Sequence, residues 1–129
     1  MRYAIQINAS PNHTHTGYSA YRFIDAALAQ GHEIYRIFFY HEGIYHAFNH
    51  NSPPDDEINL TVCWGELAEK CGIDLVVCIS AAQRRGLLYA DEAQRRNKQD
   101  TDLAAGFRIG GLGQWVEALL EADRVIVFG

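Results

Sequence analysis

Gly72-Ile73-Asp74-Leu75-Val76-Val77-Cys78-Ile79-Ser80-Ala81-Ala82-Gln83-Arg84-Arg85-Gly86 is the stretch whose reading decides the fold. Residues 73 to 79 are apolar except for Asp74. A continuous apolar run of strand length belongs in the middle of a parallel sheet covered on both faces, since a strand with one wet face would alternate. Ser80 is placed to cap a short helix through Arg85, and Gly86 is placed to stop it. A buried strand that passes straight into a helix predicts the same alternation on either side.

Upstream, Tyr3 to Asn8 reads as a strand and 9 to 17 as a loop containing Pro11, Asn12 and Gly17. From Tyr18 to Gln30, Ala20, Phe23, Ile24, Ala27 and Leu28 recur at helical spacing, and Gly31 follows as a stop. Glu33 to Tyr40 is the next strand. His41 to Asp56, with Pro53 and Pro54, is a long connection of the kind that usually carries a role. Asp55 or Asp56 is placed to cap a helix to about Lys70, with Leu60, Trp64, Leu67 and Cys71 as its apolar stripe and Cys63 beside it. Downstream come a further turn at Asp91 to Arg96, a polar bridge at 97 to 102, a short strand at Phe107 to Ile109, a helix from about Leu112 to Ala122 and a last strand at Val125 to Phe128. Strand and helix alternating at these lengths predict an α/β, flavodoxin-like three-layer sandwich on a parallel sheet of about five strands joined by right-handed crossovers. Chemistry in such sheets sits beyond the carboxyl ends of the strands, here the loops 9 to 17 and 41 to 56 and the turn Cys78 to Ala82.

The 129 residues, 48% hydrophobic and 12% aromatic with only 3 Pro, predict one globular domain over 1–129 and exclude disordered and fibrous classes. No apolar run nears the roughly 18 residues of a membrane span, and the start lacks the layout of a signal peptide, which predicts a cytoplasmic protein with no membrane contact. A net charge of -5 makes direct nucleic-acid binding unfavourable. Five of the eleven basic residues, Arg84, Arg85, Arg95, Arg96 and Lys98, nevertheless lie in one segment whose only acids are Asp91 and Glu92, so a local basic patch is expected.

Three cysteines without a C-x-x-C pair argue against a disulfide framework and a zinc cluster. Cys63 and Cys71 fall on or beside an apolar helical stripe and read as core. Cys78 ends the buried strand just before a helix, where unpaired N–H groups and the positive end of the dipole favour a thiolate, and Arg84 and Arg85 follow about one turn later. An ordinary thiol, with a pKa of about 8.5, is about 3% thiolate at pH 7, and a fall of about two units makes the thiolate the majority form. Position alone leaves two readings of Cys78 open, an accessible nucleophile of depressed pKa and a buried strand cysteine.

Cys78-Ile79-Ser80-Ala81-Ala82-Gln83-Arg84-Arg85-Gly86 resembles the cysteine signature of the TusD/DsrE family of sulfur-relay subunits. Gly31 to Ile34, Phe38 to Gly43, Ser52-Pro53 with the acidic run after it, and Gly106-Phe107 through Gly111-Leu112-Gly113 to Arg124 follow in the family's order. The resemblance implies the flavodoxin-like fold and a persulfide carried on Cys78 as the catalytic residue; electrostatic support from Arg84 and Arg85 is an expectation from their position alone. It implies two related sibling subunits, TusB-like and TusC-like or DsrH-like and DsrF-like, in a heterohexamer. A TusA-like donor and a TusE-like or DsrC-like acceptor are implied too. The TusD branch passes sulfur toward 2-thiouridine in tRNA, the expectation favoured here, and the DsrE branch serves dissimilatory sulfur oxidation. Exchange between protein cysteines needs no cofactor and no metal.

Three other patterns compete for function. Thr14-His15-Thr16-Gly17-Tyr18-Ser19 matches a flavodoxin phosphate loop, which makes an FMN-binding electron carrier the alternative from another class, against ordinary helix capping. His13, His15, His41, His46 and His50, with Glu42, have no spacing that would converge them on a metal, and read as surface or interface residues. Gly110, Gly111 and Gly113 lack both the G-x-G-x-x-G spacing and a following lysine, and read as tight strand-to-helix packing. Tyr45 and Phe48, aromatic side chains on a polar connection, predict a surface covered by another subunit, unless that loop folds onto its own chain.

Overall fold

A computed structural model describes residues 1–88, 90–96 and 102–129. The chain runs β1 (Arg2–Ile7), α1 (Thr16–Ala29), β2 (Glu33–Phe39), a 3-10 helix (His41–Ala47), α2 (Leu60–Cys71), β3 (Asp74–Cys78), α3 (Ile79–Arg84), α4 (Ala90–Arg95), β4 (Phe107–Gly110), α5 (Leu112–Glu121) and β5 (Arg124–Phe128). All five strands are parallel, in the order β4-β3-β2-β1-β5. The expected α/β three-layer sandwich on five parallel strands is present. Its strand order departs from the 2-1-3-4-5 of flavodoxin itself, because the chain steps outward from β1 to β4 and α5 then carries it back to β5 on the far side of β1.

Burial explains the sheet. β3 is almost wholly buried, as its apolar run requires, but the strand at the centre is β2, not β3 as the sequence suggested. In β2, Phe39 packs on Trp64 of α2, while Phe38 stacks on Trp115 of α5 with ring centroids 5.7 Å apart, so successive residues serve opposite layers. α1 packs on β2 and β5, α2 on β3, and α5 crosses β1 and β2 from the other face. Gly31, Gly72 and Gly86 all have positive φ and stop α1, α2 and α3 as expected.

Several local expectations are corrected. Asn59, not Asp55 or Asp56, caps α2, its side-chain oxygen accepting from the Val62 N–H. α3 starts at Ile79, with Cys78 rather than Ser80 in the N-cap position. Cys71 is exposed because α2 has reached its last residue there and runs on to Gly72; Cys63 is partly buried. The connection after β2 is not all loop. His41–Ala47 forms the 3-10 helix, which buries Ile44, His46 and Ala47 against the sheet. Tyr45 and Phe48 lie in tilted contact with each other and pack, partly buried, on the core, so this segment folds onto its own chain. Lys98 and the expected bridge at 97 to 102, Asp102 excepted, lie outside the described residues. Among the described residues, no helix is long and apolar enough to cross a membrane.

Candidate functional site

Cys78 is the last residue of β3, paired in register with Gly110 of β4. The strand alternates, so Cys78 shares a face with Val76 and Asp74, the face over which α5 lies. Its backbone is still extended, with φ -61° and ψ 122°, and the next residue begins α3. The sharp change from strand to helix is what puts a thiol in the N-cap position, next to the unpaired first N–H groups of a helix. Of the two readings open at this cysteine, the isolated chain shows the buried one: the residue is 1% exposed. The expected ready access of its sulfur is therefore corrected. The carboxyl end of an interior strand is closed here by the elements that follow it, with Ala81, Ala82 and Leu87 buried around the turn.

The arginines are placed differently from the expectation. The Arg85 guanidinium donates to Glu42 Oε1 at 2.7 Å and to the Ala81 carbonyl at 3.1 Å, which ties α3 to the 3-10 helix. Its charge is met by Glu42, not spent on the thiol. Arg84 is exposed. Arg95 and Arg96 both pair with the buried Glu92, so most of the described basic residues in the patch already hold a carboxylate. No spacing rule links Glu42 to Arg85, 43 residues apart, which is why the sequence did not reveal the pair.

The first loop uses its polar groups on itself. Thr14 Oγ1 accepts from the Thr16 N–H, and Ser10 Oγ accepts from the Asn12 N–H. A cleft of about 530 Å³ opens between this loop and the segment before α2, lined by His13, Thr14, His15, Tyr18, Pro53 and Asn59 among others, and Cys78 is not part of it. Behind the loop lies a residue misread from the sequence as a surface group. His46 is fully buried, accepts at Nδ1 from Trp64 Nε1 at 3.0 Å, and reaches the Ala9 carbonyl from Nε2 at 3.0 Å. Those two partners make Nε2 the protonated nitrogen. Burial pushes the imidazole pKa down to about 4, against the smaller opposing pull of Ala9, so the ring is neutral at pH 7 and acts as a structural bridge. Among the described residues, no three His, Cys, Asp or Glu side chains come together as a metal site would need. At the glycine run, a Cβ on Gly110 would lie 2.8 Å from Val76 Cγ1 and 2.9 Å from Gln114 Cγ, the tight strand-to-helix packing expected there, whereas Gly111 and Gly113 have open space.

Comparison with known proteins covers the same ground as this geometry. The model of the DsrE/DsrF-like family matches residues 1–128. Over 129 residues the chain is 48% identical to a protein of Allochromatium vinosum named as the sulfurtransferase DsrE, covering 100% of this chain and 99% of that one. It is 45% identical to a Pseudomonas aeruginosa protein named as a sulfurtransferase TusD homolog, covering 100% and 98%. The crystal structure of the ychN protein from E. coli superposes with a TM-score of 0.80 over 99% of both chains at 18% identity, a likeness of fold.

Proposed function

The chain belongs to the DsrE/DsrF-like family, and from that premise we propose that it is a sulfurtransferase subunit, one domain over 1–129, that carries a persulfide on Cys78. The observation that carries the reading is the position of Cys78: of the three cysteines it is the one at the carboxyl end of a sheet strand, where α/β proteins place their chemistry. The Cys78 thiolate attacks the outer sulfur of a donor persulfide. The donor's S–S bond breaks, its inner sulfur leaves as a thiolate, and Cys78 becomes Cys–S–SH after taking up a proton. An acceptor thiolate then removes that outer sulfur and returns Cys78 to the thiolate. No net oxidation occurs, and no cofactor or metal takes part.

Cys63 and Cys71 lie on another element, α2, and a relay by exchange between proteins needs neither of them. In the proposed relay the donor is TusA-like, the acceptor TusE-like or DsrC-like, and two sibling subunits complete a heterohexamer in the cytoplasm, with no direct contact to nucleic acid. The favoured destination of the sulfur is 2-thiouridine in tRNA. Dissimilatory sulfur oxidation is the second reading, supported by 48% identity to the A. vinosum DsrE. Because Cys78 is 1% exposed in the isolated chain, the test is transfer of radiolabelled sulfur from a persulfide donor to the chain assembled with its two siblings, with mapping by intact mass. One added sulfur on Cys78, lost in a folded Cys78→Ser and kept in Cys63→Ser and Cys71→Ser, is expected; undiminished loading of Cys78→Ser would overturn the proposal. Loss of thiolated uridine from tRNA in a strain lacking the chain separates the first destination from the second.

A further inference from the structure

Among the described residues, His41 is the one non-glycine residue with a positive φ, at 49°. A side chain on such a backbone costs strain, and strain of this kind clusters at functional sites. The turn from β2 into the 3-10 helix uses this angle, and a glycine would meet it without strain. The residue that stands there instead carries an imidazole.

The sheet places that imidazole beside the end of β3. β2 and β3 pair Phe38 with Val76 and Phe39 with Val77. One step further along, Tyr40 is still extended, at φ -133° and ψ 161°, and comes level with Cys78, about one strand spacing of 4.8 Å away. Phe38 and Tyr40 are in ring contact with centroids 6.1 Å apart, and Phe38 stacks on Trp115, so Tyr40 and Cys78 belong to the same face of the sheet. The His41 ring lies against the Tyr40 ring, centroids 4.1 Å apart. Glu42, the next residue, holds Arg85, which fixes the His41 segment to the helix that starts directly after Cys78. His41 is exposed where Cys78 is closed off, and its ring nitrogens take no hydrogen bond among the described residues. The neighbouring groups cannot stand in for it. Arg85 is held by Glu42 and a guanidinium does not give up its proton, while the His46 ring is spent on Trp64 and Ala9.

We propose that His41 is a catalytic residue of the sulfur transfer, giving a proton to the donor's departing sulfur and taking one from the acceptor's thiol. This inference rests on the reading of Cys78 as the persulfide carrier. Imidazole is the side-chain group that both gives and takes a proton near neutral pH, which a two-way exchange needs. With the donor persulfide protonated, the Cys78 thiolate bonds to its outer sulfur, which brings its proton along. The donor's S–S bond breaks, and the electron pair goes to the inner sulfur, which takes the proton of the His41 imidazolium and leaves as a thiol. In the second half, neutral His41 takes the proton of the acceptor thiol as that sulfur attacks the outer sulfur of the Cys78 persulfide. The Cys78 S–S bond breaks, and the thiolate and the imidazolium are both restored. One sulfur has moved, and no oxidant or reductant is consumed.

The test is the single-turnover rate at which a donor protein bearing a radiolabelled persulfide loads Cys78 in the assembled complex, with this chain as wild type, His41→Gly or His41→Asn. Glycine and asparagine both accept a positive φ, so both variants should fold with thermal midpoints unchanged or raised. Loading should slow about 100-fold in each. Added imidazole should restore part of the rate in His41→Gly and leave the wild type unchanged. Loading of His41→Gly as fast as wild type, or a slow His41→Gly that imidazole does not restore, overturns this inference and leaves Cys78 as the carrier. A wild type that takes up no sulfur overturns the sulfur-transfer reading itself, and this inference with it.

Discussion

At the scale of the residue, the three cysteines separate by burial in an order that chemistry can read out. Cys71 is exposed, Cys63 is partly buried, and Cys78 is closed off. Burial, with the Glu66 carboxylate adding to it, pushes the Cys63 thiol up and lowers its reactive fraction near neutral pH. Iodoacetamide should therefore modify Cys71 first, Cys63 later and Cys78 last in the isolated native chain, followed by peptide mass spectrometry; labelling of Cys78 as fast as Cys71 would contradict the burial. His46 supplies a second prediction. Truncating it to alanine leaves a cavity and strips Trp64 Nε1 and the Ala9 carbonyl of their partner, at a cost of about 2–4 kcal/mol in urea unfolding. The motif placed Cys78 correctly at a strand end, because a local apolar run and a local helix start determine that position. Its burial and the inward turn of His46 were not legible, since both depend on elements far away in sequence.

Elements were legible where a periodic pattern spans them and poorly legible where a tertiary contact sets their ends. α1 and α2 have apolar residues at helical spacing and positive-φ glycines after them, so their bodies and stops could be read. The 3-10 helix could not, because its shape comes from an approach between distant backbones. A Cβ on Gly43 would lie 1.9 Å from the Ile7 carbonyl oxygen, the atom that also accepts from the Tyr40 N–H. Neither backbone can retreat without breaking the junction of β1 and β2. Gly43→Ala should cost about 3 kcal/mol or more by overpacking, measured by chemical denaturation. Gly113→Ala in α5, where nothing lies within 4 Å, should instead gain roughly 0.5–1 kcal/mol from helix propensity. Equal effects at the two sites would show that the close approach at Gly43 is not what holds that residue small.

Over the whole molecule, the return of the chain from β4 to β5 depends on α5, and α5 is pinned by one buried cation. The Arg36 guanidinium donates to Asp74 on β3 at 2.6 Å, and to the Gln114 carbonyl and Glu117 on α5 at 2.7 and 2.9 Å. Burial alone would raise the Asp74 pKa, but hydrogen bonds from Arg108 and Arg36 outweigh it and hold this carboxyl below its ordinary value of 3.8. His46 and Asp74 therefore contribute to acid stability in successive windows. Between pH 6.5 and about 4 the unfolded chain protonates at residue 46 while the folded chain does not, so stability falls as pH drops, by at most about 3 kcal/mol. Asp74, depressed in the folded state, contributes stability that is intact above 3.8 and lost only as pH falls through its lower folded value. Arg36→Leu should narrow the second window's margin, with Arg108 keeping part of it, and free α5. Because Asp74 keeps Arg108 and Glu117 is half exposed, the cost should be about 2–3 kcal/mol, below the full penalty of a broken buried pair. Amide exchange should quicken in α5 and β5 while β2 and β3 stay protected; uniform quickening across the sheet would mean that Arg36 supports the core as a whole and not this crossover.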